Sequence, residues 1–264
     1  MQTAICRTKQ EYLDFIKKNV VTPPAHEGTW YIPGFCDLCE KQSWFMTDSP
    51  NLRERMVCEY CKLNARKRFS VKFAKDRLAE GGFRDVFVYE HKTMLWQTLK
   101  KHIDGKYAVT TSEFFGYDKK PGELVYGIRH EDAMNLSFSA ESFEVLISNE
   151  VYEHVPDIRK TLREAHRVLR KGGEIWLTIP FKSLEDKTHI RAVIEDGKVT
   201  HLLPPEYHGN PVDPKNGSLV FYEYGWDFLD ICKQAGFLDA YILAYHSVEN
   251  GYLGANLMQF IVSK

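Results

Sequence analysis

The stretch FEVLISNEVYEHVPDIRKTLREAHRVLRKGGEIWLTIPF, residues 143–181, most narrows what this chain can fold into. Residues 143–147 form an apolar run long enough for a buried strand and too short for a helix. The run breaks at Ser148-Asn149-Glu150, a polar cluster where a chain leaves a sheet. Asp157, just after Pro156, is placed to cap a helix. Ile158, Leu162, Ala165 and Leu169 then recur at helical spacing and give one apolar face. Arg167, Arg170 and Lys171 suit the negative end of that helix, and Gly172-Gly173 offers a left-handed exit. Residues 175–179 read as the next buried strand. A helix between two near-continuous apolar strands implies a parallel sheet, whose ligands bind at the carboxyl ends of the strands.

The same residues resemble the second half of a class I S-adenosylmethionine-dependent methyltransferase, of the type 11-like kind. The features are the strand at 142–148, the turn Glu153-His154-Val155, and Arg167-Val168-Leu169-Arg170-Lys171-Gly172-Gly173 before a strand ending at Pro180. The resemblance implies an α/β, doubly wound, Rossmann-like sheet of seven strands with the last one antiparallel. It assigns residues 68–264 to that domain, with strands at 84–89, 106–111, 125–129, 143–147, 175–179, 237–245 and 257–263. A substrate-loop insertion is expected at about 183–224, containing a hairpin around Asp196-Gly197.

The resemblance also implies roles. Glu90 stands where the family has an acidic residue after its first strand, and would hold the amino-acid part of the cofactor. The glycines of that loop are replaced by His91-Lys92-Thr93-Met94, and a Cβ there hinders close backbone approach. Two readings follow: a variant loop in which Thr93 caps the next helix, or a chain that has lost its cofactor. Glu113 is placed for the ribose hydroxyls, and Asp132 with Ala133 for the adenine. Asn149 and Glu150 would lie near the sulfonium. In the loop LPPEYHGNP, residues 203–211, His208 is the candidate proton acceptor and Tyr207 the group that orients the acceptor. His154 would stand beside the reacting centre or anchor its turn. This loop is also similar to that of bacterial zinc-ribbon methyltransferases from surface-polysaccharide loci.

Ahead of this domain, residues 1–67 carry the strongest local motif. Cys36-x2-Cys39 and Cys58-x2-Cys61 have the spacing of a four-cysteine zinc ribbon. Two knuckles supply four thiolates and complete a tetrahedron, so the ion would be structural and would contribute to folding. Cys6 and Cys232 are left as ordinary thiols. Arg53, Arg55, Arg66, Lys67 and Arg68 around the knuckles read either as a nucleic-acid surface or as a solvated helix face. The acidic residues Asp48, Glu54, Glu59, Asp76 and Glu80 interrupt them and favour the solvated face. A short helix over 8–20, ended by Pro23-Pro24, precedes the module.

The net charge of −1 over 264 residues gives no global attraction to nucleic acid or membrane. No apolar run approaches the ~20 residues of a membrane span, and residues 1–15 lack the apolar stretch of a signal peptide. A cytoplasmic enzyme is expected, methylating a small polar acceptor such as a sugar or sugar nucleotide. The alternatives are an RNA- or protein-directed methyltransferase gripping its substrate through the zinc module, and a non-catalytic binding protein of the same fold. Oligomeric state is not legible.

Overall fold

The structure, a computed structural model, describes residues 1–20 and 28–264. Pro23-Pro24, expected to end the first helix, lie outside the described residues. The central sheet contains β1 (Gln2–Cys6), β2 (Asp85–Val88), β3 (Ala108–Thr111), β4 (Phe143–Asn149), β5 (Leu169–Thr178), β6 (Asp239–His246) and β7 (Met258–Ser263). Their spatial order is β1-β6-β7-β5-β4-β2-β3. The block β5-β4-β2-β3 is parallel. β7 runs antiparallel to both β5 and β6, as expected of the last strand.

Two strands differ from expectation. Residues 125–129 do not form a sheet strand. Leu124–Val125 and Ile128–Arg129 instead pair as a two-residue hairpin. Its turn is Tyr126-Gly127, with φ of +52° and +78°. Two consecutive left-handed residues reverse the chain where a strand would have to run straight. One parallel bridge, Glu113 to His130, is what ties this segment to the end of β3. The seventh strand is supplied at the opposite edge, where β1 pairs antiparallel with β6. Five residues at a sheet edge, QTAIC, carry too little periodicity to announce a strand.

The helices lie on both faces because each strand alternates its side chains. Phe87, Leu146, Ile175 and Leu177 face one core, with Tyr12 and Phe15 of α1 (Lys9–Asn19). That core also takes the apolar faces of α5 (Ile158–Val168) and α6 (Asp227–Gln234). Val86, Val88, Val145, Ile147 and Trp176 face the other, against α3 (Ala65–Gly81) and α4 (Met94–Ile103). Asp157 caps α5 by accepting from Lys160 N at 2.9 Å. The helix ends at Val168, earlier than its basic residues imply. Gly172, at φ +77°, sits in a bulge of β5 rather than at a helix exit.

The cysteine-bearing strands Trp30–Cys36, Lys41–Thr47 and Val57–Cys58 form a three-stranded sheet, with α2 (Leu52–Arg55) between the last two. Cys36, Phe45, Leu52, Met56 and Cys58 belong to the same apolar cluster as Val86, Val145 and Trp176. The module is therefore seated on the face of the large sheet. Arg68 locks it there. Its guanidinium is fully buried and donates to the carbonyls of Asn250 and Gly251, each at 2.7 Å. It also stacks on Phe45 and Tyr252. Arg66 is buried as well. These basic residues thus form neither the solvated face expected of them nor a nucleic-acid stripe, although Arg55 stays exposed. The sequence shows their charge but not that the carbonyls and carboxylates around them come from distant segments.

Candidate active site

A cleft of about 780 Å³ opens at the carboxyl ends of the parallel strands. One wall holds Glu90, Thr93, Glu113, Asn149 and Glu150, and the other holds His154, Tyr207 and His208. Asp132 and Ala133 are not brought to this lining. Asp132 accepts from Met134 N at 2.9 Å, and Ala133 packs against the apolar core. Four lining residues went unmarked in the sequence as parts of a site: Arg53, Glu54, Arg66 and Lys67, all from the cysteine module and the first turn of α3.

Glu90 follows β2 and is buried. One oxygen accepts from the backbone and side-chain amides of Asn149, and the other from the Thr93 hydroxyl at 3.2 Å. Burial pushes its carboxyl up to about 7 against the pull of those donors. Thr93 also caps α4, accepting from Trp96 N at 3.2 Å. Glu113 lies at the end of β3. Its Oε2 accepts from Lys92 N at 3.0 Å and His91 N at 3.3 Å. A carboxylate from the next strand thus receives the amides of the glycine-poor loop. Burial raises the Glu113 pKa against those two bonds.

Glu150 sits in the left-handed region, φ +54°, which a residue with a Cβ rarely adopts. Arg53 donates to its carboxylate at 2.9 Å, and Arg66 approaches within 3.7 Å. Burial would raise this carboxyl, but the two guanidinium groups outweigh it and hold it at about 2. Glu54 accepts from Arg66 Nε at 2.7 Å and closes the network. The cysteine module therefore fixes the charge of a carboxylate at the floor of the cleft.

Across the cleft, Tyr152–His154 forms a single 3-10 turn after β4. The 183–224 segment folds over it. The hairpin Ala192–Glu195 with Lys198–His201 forms as the Asp196-Gly197 signal predicts. Tyr207-His208 pairs with Ser218-Leu219. Phe221 N donates to the Glu153 carbonyl at 2.7 Å, and the Tyr224 hydroxyl to the Tyr152 carbonyl at 2.6 Å. These bonds bring His208 against His154, with ring centroids 5.1 Å apart and planes at 89°.

At the other end of the module, the sulfurs of Cys36, Cys39, Cys58 and Cys61 lie within 4.8 Å of one another. Cys39 and Cys58 are 3.9 Å apart, and the Cys58 sulfur also meets Ser43 Oγ at 3.1 Å and Tyr60 N at 3.4 Å. Cys6 and Cys232 are buried elsewhere as free thiols.

Residues 107–177 match the family model described as a methyltransferase domain. Among curated proteins, the chain is similar to an arsenite methyltransferase of Mus musculus, 29% identical over 157 residues, covering 56% of this chain and 40% of that protein. It is also similar to a demethylmenaquinone methyltransferase of Alkalihalophilus pseudofirmus, 40% identical over 122 residues, covering 41% of this chain and 52% of that one. The chain thus spans about half the length, or less, of these relatives. Among solved structures, a SAM-dependent methyltransferase of Thermotoga maritima superposes with a TM-score of 0.40 at 17% identity, over 74% of this chain and 88% of that chain. The family match falls on β4, α5 and β5, the segment that carries the cleft's floor and first turn. Residues 107–177 are thus similar to a methyltransferase domain, and they lie in a sheet with a parallel half and an antiparallel last strand.

Proposed function

We propose that the chain binds S-adenosylmethionine in the cleft and transfers its methyl group to a hydroxyl of a small polar acceptor, such as a sugar or sugar nucleotide. The observation that carries this reading is the meeting, at the strand ends, of Glu90, Glu113 and Asn149 with a second wall of His154, Tyr207 and His208. Glu90 would face the ammonium of the cofactor's amino-acid part, and the Glu113 carboxylate would face the ribose hydroxyls. The loop is then a variant in which a carboxylate receives backbone amides and Thr93 caps α4. Methyl transfer is an in-line displacement at the sulfonium carbon. The protein contributes alignment and a place for the acceptor's proton, which His208 would receive. A polar acceptor suits walls that present Lys67, Lys92, Tyr207 and Asn210.

We also propose that the four cysteines hold one structural zinc ion. Tetrahedral zinc with bonds of about 2.3 Å separates its sulfurs by about 3.8 Å, close to the 3.9 Å between Cys39 and Cys58. The amide of Tyr60 and the hydroxyl of Ser43 would stabilise thiolate charge on Cys58.

Calorimetric titration of the zinc-replete protein with S-adenosylmethionine and S-adenosylhomocysteine tests the first reading. The expected result is micromolar binding, about −8 kcal/mol, abolished in Glu90→Ala and strongly weakened in Glu113→Ala. Transfer of a labelled methyl group to a panel of sugars and sugar nucleotides then identifies the acceptor. Absence of cofactor binding would leave the non-catalytic reading in its place.

A further inference from the structure

We propose that Glu153, His154 and His208 form a binding site for one divalent first-row transition-metal ion on the wall of the cleft, separate from the four cysteines. Ligand atoms of these three residues all lie within 4.8 Å of one another. Glu153 is fully buried, yet neither carboxylate oxygen has a hydrogen-bond partner among the described residues. A buried carboxylate without a partner is costly, and such groups are paired or hold metals. The nearest candidate donors are His154 Nε2 and His208 Nδ1, each 3.5 Å from Oε1. That is long for a hydrogen bond. It suits two ligand atoms each about 2.1 Å from a shared ion at a near-tetrahedral angle.

The imidazole orientations give the same answer. His154 Nδ1 stands 2.8 Å from the Leu219 carbonyl, which only accepts. Nδ1 therefore carries the hydrogen, and in the neutral ring Nε2 presents its lone pair to Glu153. His208 repeats the arrangement from the other side, with Nε2 3.3 Å from Glu206 Oε1 and Nδ1 toward Glu153. The facing nitrogens are either protonated, making imidazolium pairs with Glu153, or they present lone pairs to a cation shared with it; the 3.5 Å separations, long for charged hydrogen bonds, favour the cation. The outer nitrogens meet a backbone carbonyl and a carboxylate, the partners that orient metal-bound histidines. Two imidazoles and one carboxylate are a borderline donor set suited to Zn²⁺, Co²⁺, Fe²⁺ or Mn²⁺. Three protein ligands leave coordination open, and His154 and His208 both line the cleft. Glu150, three residues earlier, is committed to Arg53 and Arg66 and is not a ligand.

The inference deepens the proposed methyl transfer, and rests on it only for what the open positions bind. An acceptor hydroxyl on the ion would lose its proton more readily than in water, releasing it to solvent in the open cleft, so His208 would serve as a ligand in place of the proton acceptor. The site itself is tested without cofactor. Protein holding one zinc per chain, at its cysteines, is titrated with Co²⁺ and followed by visible absorption. The expected result is one further cobalt per chain, with the weak bands of nitrogen and oxygen ligation and no thiolate charge-transfer absorption. His208→Ala should weaken that binding at least ~10-fold, and Glu206→Gln, which meets the site only at the outer nitrogen of His208 and pairs elsewhere with Arg191, by ~10-fold or more. His208 is on a part-exposed two-residue strand, so its replacement tests the site even if Glu153→Gln misfolds. Cobalt seen only at thiolates, or bound equally by wild type and both variants, would overturn the proposal. Cofactor binding without cobalt binding removes the metal site alone. Cobalt binding without cofactor binding removes the methyl-transfer reading and keeps the site.

Discussion

Glu90 is a buried carboxyl whose ionisation costs the fold stability. Its environment is apolar enough to lift the carboxyl from the usual range to about 7, with Glu113 adding like charge and Asn149 and Thr93 opposing. In the unfolded chain the group ionises near 4.5; in the folded apoprotein it stays protonated until about 7. Stability from this group is therefore full below the unfolded value, falls as pH rises between the two, and stays lower above the folded one. The difference corresponds to about 3 kcal/mol at most. Glu90→Gln keeps the acceptor oxygen for Asn149 and removes the charge. Thermal melts of the apoprotein should show the variant more stable than wild type at pH 8 and nearly equal to it at pH 4.5. Identical melting at both pH values would show that the carboxyl is not strained by burial. The same variant should bind S-adenosylmethionine at least ~10-fold more weakly, since an amide cannot pair with an ammonium as a carboxylate does. The acidity of Glu90 at the end of its strand was legible in the sequence. Glu153 was visible too, but only as part of a turn, because burial without a partner is a property of the fold.

Among the elements, the cysteine module has two jobs in this architecture. It caps one face of the sheet, and it supplies Arg53 and Arg66 to Glu150. If zinc organises the knuckles, removing it should disturb both. Metal analysis is expected to give one zinc per chain bound to thiolates. Cys36→Ser with Cys58→Ser should lose that zinc, lower the melting temperature and weaken cofactor binding together. A double variant that melts and binds like wild type would show that the thiols are spectators. The knuckles were readable because metal ligation imposes a local spacing on the sequence. The destinations of Arg66 and Arg68 were not, because a charge that looks solvated in one dimension can be paired by carbonyls nearly two hundred positions away, as Asn250 and Gly251 pair Arg68. The strand at 125–129 failed for the opposite reason. Its alternating apolar residues read as extended, while Tyr126-Gly127 was already a turn. At 91% exposure Tyr126 is the apex of a hairpin and contributes nothing to the core.

For the molecule as a whole, the sheet is asymmetric in a way that matters for the cleft. Its parallel half, β5-β4-β2-β3, carries Glu90, Glu113 and Asn149 at its strand ends, and its antiparallel half, β7-β6-β1, carries none of the cleft's lining named above. The parallel half was readable because buried strands and a capped helix alternate there. The antiparallel edge was not, since β1 gains its structure from a partner it meets only in the folded state. Among the described residues no helix is long and apolar enough to cross a membrane.

That partnership has a temporal side. β1 pairs with β6, so the contact joins segments about 240 positions apart. On a ribosome, residues 2–6 must wait for residues 242–246 to emerge before their hydrogen bonds can form. Until then both they and the edge of β6 are unpaired strand, the kind of surface that captures neighbouring chains. Deleting residues 1–7 should leave β6 as a permanent edge. Light scattering during refolding should then rise relative to the undeleted chain. An unchanged aggregation profile would mean that β1 closes nothing the nascent sheet needs closed.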